Sequence, residues 1–193
     1  MVSRLKLKLV LTTGLLVSTA GWAAPSGQML AQTCAACHGT GGSSVALTPS
    51  IAGMDPEHFV DTMTEFKDGE RRGTVMDRVA KGYNEDELEK MARYFAKQPF
   101  IPMEQDYSPE KARRGAELHE EYCEKCHEDG GTKPEDSAIL AGQSKVYLQY
   151  SMVDFQEQHR IAPKKMRKRV KKVLEEYGQD GLDAIIHYYV SQQ

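Results

Sequence analysis

The chain has 193 residues, of which 40% are hydrophobic, 8% aromatic and 27% charged, a balance ordinary for folded protein and unlike collagen, coiled coil or disordered sequence. Its formal net charge of -3 gives no reason to expect a nucleic-acid partner. The length admits one domain or two small ones.

At the N-terminus, Arg4, Lys6 and Lys8 precede an apolar run from Leu9 to Trp22. A run of this length is too short to span a bilayer. A cut after Ala23 would leave Gly21 and Ala23 at the two positions where a signal peptidase needs small residues. Residues 1–23 are therefore predicted to be a cleaved secretory signal, which makes the mature protein periplasmic with no membrane span. Cleavage removes three basic residues and no acidic one, so the net charge becomes -6.

Four cysteines in an exported chain would ordinarily suggest two disulfides. Their spacing points elsewhere. They fall as Cys34-Ala35-Ala36-Cys37-His38 and Cys123-Glu124-Lys125-Cys126-His127, two copies of C-x-x-C-H set 89 residues apart. This pentapeptide is the attachment signature of c-type haem: both thiols add to the haem vinyl groups, and the adjacent imidazole faces the iron. The spacing is expected to place all three side chains on one helical turn. A four-cysteine zinc site usually brings its C-x-x-C pairs within about 15 to 20 residues of each other, and a thioredoxin-type pair has no need of the histidine. Two covalently bound haem c groups are expected.

The motifs belong to a longer repeat. Ala52-Gly53 corresponds to Ala141-Gly142, and Met63 and Phe66 to Met152 and Phe155, all at an offset of 89. Met76 matches Met166 at 90, and Leu88, Tyr94, Phe95 and Gln98 match Leu182, Tyr188, Tyr189 and Gln192 at 94. The growing offset reads as small loop insertions in a duplicated unit. Each copy has an opening helix before its motif. A middle helix follows near 56–67 and 144–158, and a closing helix near 84–97 and 180–191. Leu88, Met91, Ala92 and Phe95 in the first copy, and Leu182, Ile185, Ile186 and Tyr189 in the second, recur at helical steps. No strand-like alternation of useful length appears, so the class is all-α. Between the copies, Pro99 and Pro102 disfavour helix, and Ser108-Pro109 reads as the cap and first position of a new one. The expected organisation is domain 1 over 24–98, a linker over 99–108 and domain 2 over 109–193.

A sixth ligand from the protein closes the iron to substrate, and methionine in that role raises the reduction potential. Among the nine methionines, Met76 lies 38 residues after His38 and Met166 lies 39 after His127, each between the middle and last helices. These two are the predicted axial ligands, opposite His38 and His127. Met63 and Met152 fall on helices at core spacing. His58, His119, His159 and His187 have no histidine counterparts in the repeat and are read as ordinary helix residues. A contact from His159 and Arg160 to a haem propionate is within reach of the spacing but is not assigned. The glycines after each motif, Gly39, Gly41 and Gly42, then Gly130 and Gly131, are read as turn formers. No catalytic triad, metalloprotease motif or phosphate loop is visible, so no catalytic residue is assigned.

Charge is uneven. Lys164, Lys165, Arg167, Lys168, Arg169, Lys171 and Lys172 surround Met166, and six acidic residues from Glu117 to Asp129 surround the second motif. A solvated helix face is the ordinary meaning of such a run; the sharper one is a docking patch for an acidic partner.

The stretches flanking the motifs carry a more specific signal. Among them are Pro49-Ser50-Ile51-Ala52, Phe66-Lys67-Asp68-Gly69-Glu70, Ala80-Lys81-Gly82-Tyr83, Ile139-Leu140-Ala141-Gly142-Gln143 and Tyr147-Leu148-Gln149-Tyr150. With these, the mature chain closely resembles the di-haem cytochrome subunit of flavocytochrome c sulfide dehydrogenase. The resemblance implies two tandem class I cytochrome c domains related by a pseudo-twofold axis, with Met76 and Met166 as sixth ligands. It also implies a separate FAD-containing subunit that oxidises sulfide, forms a heterodimer with this chain and passes electrons to its haems, and a small soluble cytochrome c that drains them. Arg71-Arg72 and Ile161-Ala162-Pro163 depart from the pattern. A free-standing di-haem carrier donating electrons to a terminal oxidase has the same repeat, ligands and export signal.

Overall fold

The computed structural model describes residues 24–45, 47–134 and 137–193; the predicted signal over 1–23 lies outside them. Among the described residues the secondary structure is entirely helical. The first half contains α1 (Gly27–Ala31), α2 (Ala35–His38), α3 (Pro56–Asp68), α4 (Met76–Val79) and α5 (Glu85–Phe95). The second contains α6 (Pro109–Tyr122), α7 (Glu128–Gly131), α8 (Lys145–Gln156) and α9 (Lys164–Val190).

Local chemistry explains the helix starts. Asp55 accepts a hydrogen bond from the His58 amide ahead of Pro56, and Ser144, its repeat counterpart, accepts from Tyr147. Asn84 and Glu87 form a reciprocal capping box, and Ser108 accepts from Lys111 with Pro109 at the first helical position. Gly69 ends α3 in the left-handed conformation, φ 80°.

Each half has its own core, in which the middle and closing helices meet. Phe59, Met63, Phe66, Leu88, Met91 and Phe95 fill the first, and Leu118, Tyr122, Leu148, Val173, Leu182 and Ile185 are among those filling the second. Residues 99–107 form no helix and run across both halves. Ile101 donates to Ser43 Oγ at 3.3 Å and Met103 donates to the Gly142 carbonyl at 2.9 Å.

The two halves are two tandem domains in face-to-face contact, and the contacts are reciprocal. The Asp55 amide donates to the Ser137 carbonyl, while the hydroxyl of its counterpart Ser144 donates to the Leu47 carbonyl. Gln143, completely buried, crosses the interface to both backbone groups of Ser50 at 2.9 Å.

The last helix departs from expectation. Instead of starting near residue 180, α9 begins at Lys164 and is broken at Gly178, where φ is 64° and ψ is -162°. That combination suits only glycine, so one helical segment precedes the break and another follows it. The charge run hides an apolar stripe of Val170, Val173, Leu174 and Tyr177, all packed on or within the second core.

Candidate functional site

The first C-x-x-C-H motif folds as expected. Cys34 closes a short 3-10 turn and α2 carries Cys37 and His38. His38 is buried, and its Nδ1 lies 2.8 Å from the Pro49 carbonyl, which leaves Nε2 as the free ring nitrogen. This bond fixes the ring orientation and the tautomer a metal ligand needs. Burial lowers the imidazole pKa against the opposing influence of that carbonyl, favouring the neutral form that binds iron. Gly39, Gly41 and Gly42 then turn the chain with positive φ. A side chain at Gly42 would meet Phe95, Ile51 and the Ala52 backbone.

The second motif differs. Cys123 ends α6 and residues 123–127 form turns rather than a helix. Cys126 and His127 donate their amides to the Cys123 carbonyl at 3.0 Å, so the thiols and imidazole still share a single turn. His127 Nδ1 is buried without a hydrogen-bond partner among the described residues, and burial, with His119 nearby, lowers its pKa to about 4.

All four cysteines are free thiols. Cys37 and Cys126 are exposed, while Cys34 and Cys123 are half-buried against the two cores. Burial pushes the Cys34 thiol up and that of Cys123 to about 11. Among the described residues no group of three or more His, Cys, Asp or Glu gathers as a metal site, so the two pairs are not joined into one four-thiolate centre. At the first motif, free thiols beside an imidazole held by the Pro49 carbonyl suit covalent haem attachment.

Both candidate methionines stand at helix starts rather than in loops. Met76 opens α4, is half-buried and packs on the core that also receives Cys34. Met166 lies in the first turn of α9 and is half-buried. The second core takes up Val170, one turn further on, but not Met166. Met63 is buried in the first core and Met152 packs on the second.

Sequence reasoning left His119 unassigned, yet it organises the second motif. It is buried, with Nδ1 2.9 Å from the Tyr189 hydroxyl and Nε2 2.6 Å from Glu124. Glu124, inside the motif, also accepts from the Asp129 and Gly130 amides at 2.8 and 3.1 Å. These bonds, His119 first, hold the Glu124 carboxyl below its ordinary pKa. His187, also buried, accepts from the Ser108 amide at 2.8 Å and so ties the closing helix to the start of α6. No helix among the described residues is long and apolar enough to cross a membrane.

Residues 23–95 match the family described as cytochrome c oxidase, cbb3-type, subunit III. The chain is 32% identical over 166 residues to a cytochrome c4 of Pseudomonas aeruginosa, which covers 80% of this chain and 82% of that protein. It is 46% identical over 69 residues to the cytochrome subunit of sulfide dehydrogenase of Chlorobaculum tepidum, a match spanning 36% of this chain and 63% of that subunit. A crystal structure of reduced recombinant cytochrome c4 from Pseudomonas stutzeri superposes with a TM-score of 0.74 at 22% identity, over 86% of this chain and 97% of that one.

Proposed function

The chain belongs to the di-haem cytochrome c family that contains cytochrome c4, and on that premise we propose that it is the electron-transfer subunit of a periplasmic flavocytochrome c sulfide dehydrogenase. In this reading Cys34, Cys37 and His38 hold one haem c, with Met76 as its sixth ligand. Cys123, Cys126 and His127 hold the other, with Met166. The chain is exported by residues 1–23, and the two haem domains occupy 24–98 and 109–193 about the linker 99–108. Each haem, when bound, takes up and releases one electron. The protein supplies attachment, imidazole orientation and burial, which are its means of tuning a haem.

The observation that carries the reading is the 46% identity to a cytochrome subunit of sulfide dehydrogenase. The duplicated motif adds a physical reason: a reduced flavin gives up two electrons, and two one-electron centres can receive them. The FAD would reside in a partner subunit, and a small soluble cytochrome would drain the pair.

The match to cytochrome c4 covers most of both chains and favours a second reading, a free-standing di-haem carrier that donates electrons to a terminal oxidase. Sulfide-dependent haem reduction separates the two. The protein purified from its native periplasm with whatever accompanies it is compared with the isolated subunit. Rapid reduction only in the native preparation, with one flavin per two haems, is the expected result. No accompanying flavoprotein and no fast reduction in either sample would assign the chain to the free carrier.

A further inference from the structure

One polar network belongs to the second domain and has no counterpart in the first. Its members His119, Glu124 and Tyr189 correspond in the repeat to Leu30, Ala35 and Phe95. The apolar set needs no partners: Leu30 packs on the first core, and Phe95 lies within it against Phe59. The three polar side chains bond one another. A carboxylate can only accept, so His119 Nε2–H donates to Glu124 at 2.6 Å, and the Tyr189 hydroxyl holds the other ring nitrogen at 2.9 Å. The same hydroxyl bonds the Cys123 thiol. His119 is 1% exposed and Tyr189 4%, a depth at which an unpaired polar group is costly and a paired one is held in place.

The network falls where the two attachment motifs differ in backbone. The first is helical from Ala35 to His38, whereas residues 123–127 form turns. In place of helical bonds, Glu124 Oε1 accepts from the Asp129 amide and Oε2 from the Gly130 amide, closing a turn in which Asp129 has a left-handed φ of 51°. Helix α9, acting through Tyr189 and His119, thereby fixes a carboxylate between the two cysteines of the motif. The bonds from His119, Gly130 and Asp129 keep that carboxylate ionised. The first motif has the uncharged Ala35 at the same position. A negative charge held near an iron centre favours the ferric state, which carries one more positive charge than the ferrous.

We propose that His119 and Tyr189 are positioning residues that hold the Glu124 carboxylate beside the second haem and so lower its reduction potential, setting apart two sites that the repeat would otherwise make alike. The proposal rests on the haem-attachment reading above. A haem bonded to Cys123 and Cys126 has Glu124 as a fixed neighbour, because the residue lies between its two points of attachment. The other acidic residues around the motif lack this hold: Glu128, next to His127, is exposed and forms no ion pair among the described residues. Solvent screens such a charge, whereas the buried imidazole keeps Glu124 turned inward. His119 and Tyr189 therefore act on the haem through Glu124 and not as ligands.

The test uses the exported holoprotein and its Glu124→Gln, His119→Leu, His119→Gln, Tyr189→Phe and Glu128→Gln variants. Haem content is counted by pyridine haemochrome, and both potentials are measured by spectroelectrochemical titration. Two haems per chain are expected throughout, and one of the two potentials should stay in place in every variant. In Glu124→Gln the other should rise, its reduction constant growing about threefold to tenfold, where tenfold is about 59 mV for one electron. His119→Leu installs the first domain's residue, frees the carboxylate to solvent and should raise the same potential by a smaller factor. Added to Glu124→Gln it should contribute nothing more, because the imidazole acts through the carboxylate. His119→Gln keeps an N–H donor and should restore most of the wild-type value. If His119→Leu does not fold, Tyr189→Phe, which keeps the ring and loses the hydroxyl, carries the test. Glu128→Gln should leave both potentials unmoved. Equal shifts in Glu128→Gln and Glu124→Gln would reduce the effect to general surface charge and overturn the proposal. A potential that falls in His119→Leu, or no shift in Glu124→Gln, would overturn it too. Fewer than two haems in the wild type would instead defeat the attachment reading itself.

Discussion

Gln143 ties the two domains together through one fully buried side chain. Its amide oxygen accepts from the Ser50 and Ser144 amides, and its nitrogen donates to the Ser50 carbonyl, all at 2.9 Å. Met54 holds the corresponding repeat position in the first domain and packs into that domain's core. Gln143→Ala would strand buried backbone groups, each costing about 1 to 3 kcal/mol; the expected loss is about 2 to 4 kcal/mol in urea unfolding of the holoprotein. Gln105→Ala removes bonds to the Gln143 carbonyl and the Lys145 amide from a half-buried position and should cost under about 1 kcal/mol. Equal losses in the two variants would show that the interface is not held at Gln143. At this scale the sequence was legible where chemistry is local. The two pentapeptides carry the expectation of haem attachment in five residues each, without reference to the rest of the chain. His119 was not legible, because its partner Tyr189 lies 70 residues away and its repeat counterpart, Leu30, is not a histidine. Arg71 was visible only as a departure from a family pattern and Arg160 only as the neighbour of His159, since their common location depends on how the domains meet.

At the scale of helices, the repeat is also written in glycine. Gly27 on α1 faces the Lys90 backbone on α5, and Gly115 on α6 faces the Ala184 backbone on α9, the equivalent crossing in the second domain. A methyl group at either position would collide with a carbonyl that the helix holds in place. Gly115→Ala should therefore fall at the upper end of overpacking costs, about 3 kcal/mol, a drop in Tm of roughly 6 to 12 °C for a chain of this size. Gly82 meets nothing within 4 Å and has no positive φ, so Gly82→Ala should leave Tm within about 2 °C. A comparable drop in both would locate the effect in the backbone rather than in the crossing. Middle and closing helices were readable from their apolar periodicity because each buries a continuous stripe. The long α9 was masked by its basic residues: Val170, Val173, Leu174 and Tyr177 keep helical spacing, but seven positive charges between 164 and 172 dominate the eye. Its break at Gly178 has no local signal beyond the glycine, and it returns the closing segment to the place its counterpart α5 holds in the first domain.

Over the whole molecule, charge breaks the symmetry that the fold keeps. The seven basic residues about Met166 are all exposed, and among the described residues only Lys171 of the seven makes an ion pair, at 3.5 Å with Glu175. Around Met76 the matching surface carries Arg78 and Lys81 against Asp77, with Val75 and Val79 exposed between them. Glu117, Glu120, Glu121, Glu128 and Asp129 are exposed about the second attachment motif. The second domain thus carries an exposed basic run and an exposed acidic one, although the chain is acidic overall. If the basic face receives a redox partner of opposite charge, long-range attraction will accelerate encounter by roughly 10- to 1,000-fold at low salt. That attraction is screened as the Debye length falls from about 30 Å at 0.01 M to about 8 Å at 0.15 M. Stopped-flow oxidation of the reduced protein by an acidic soluble cytochrome should then slow steeply across that salt range. Lys168→Glu should flatten the dependence and lower the low-salt rate, whereas Lys81→Glu, on the first domain, should change it little. A rate indifferent to salt, with both variants alike, would make the run a solvated helix face and move electron exit to the weakly charged surface around Met76, where Val75 and Val79 leave an apolar contact that salt does not screen.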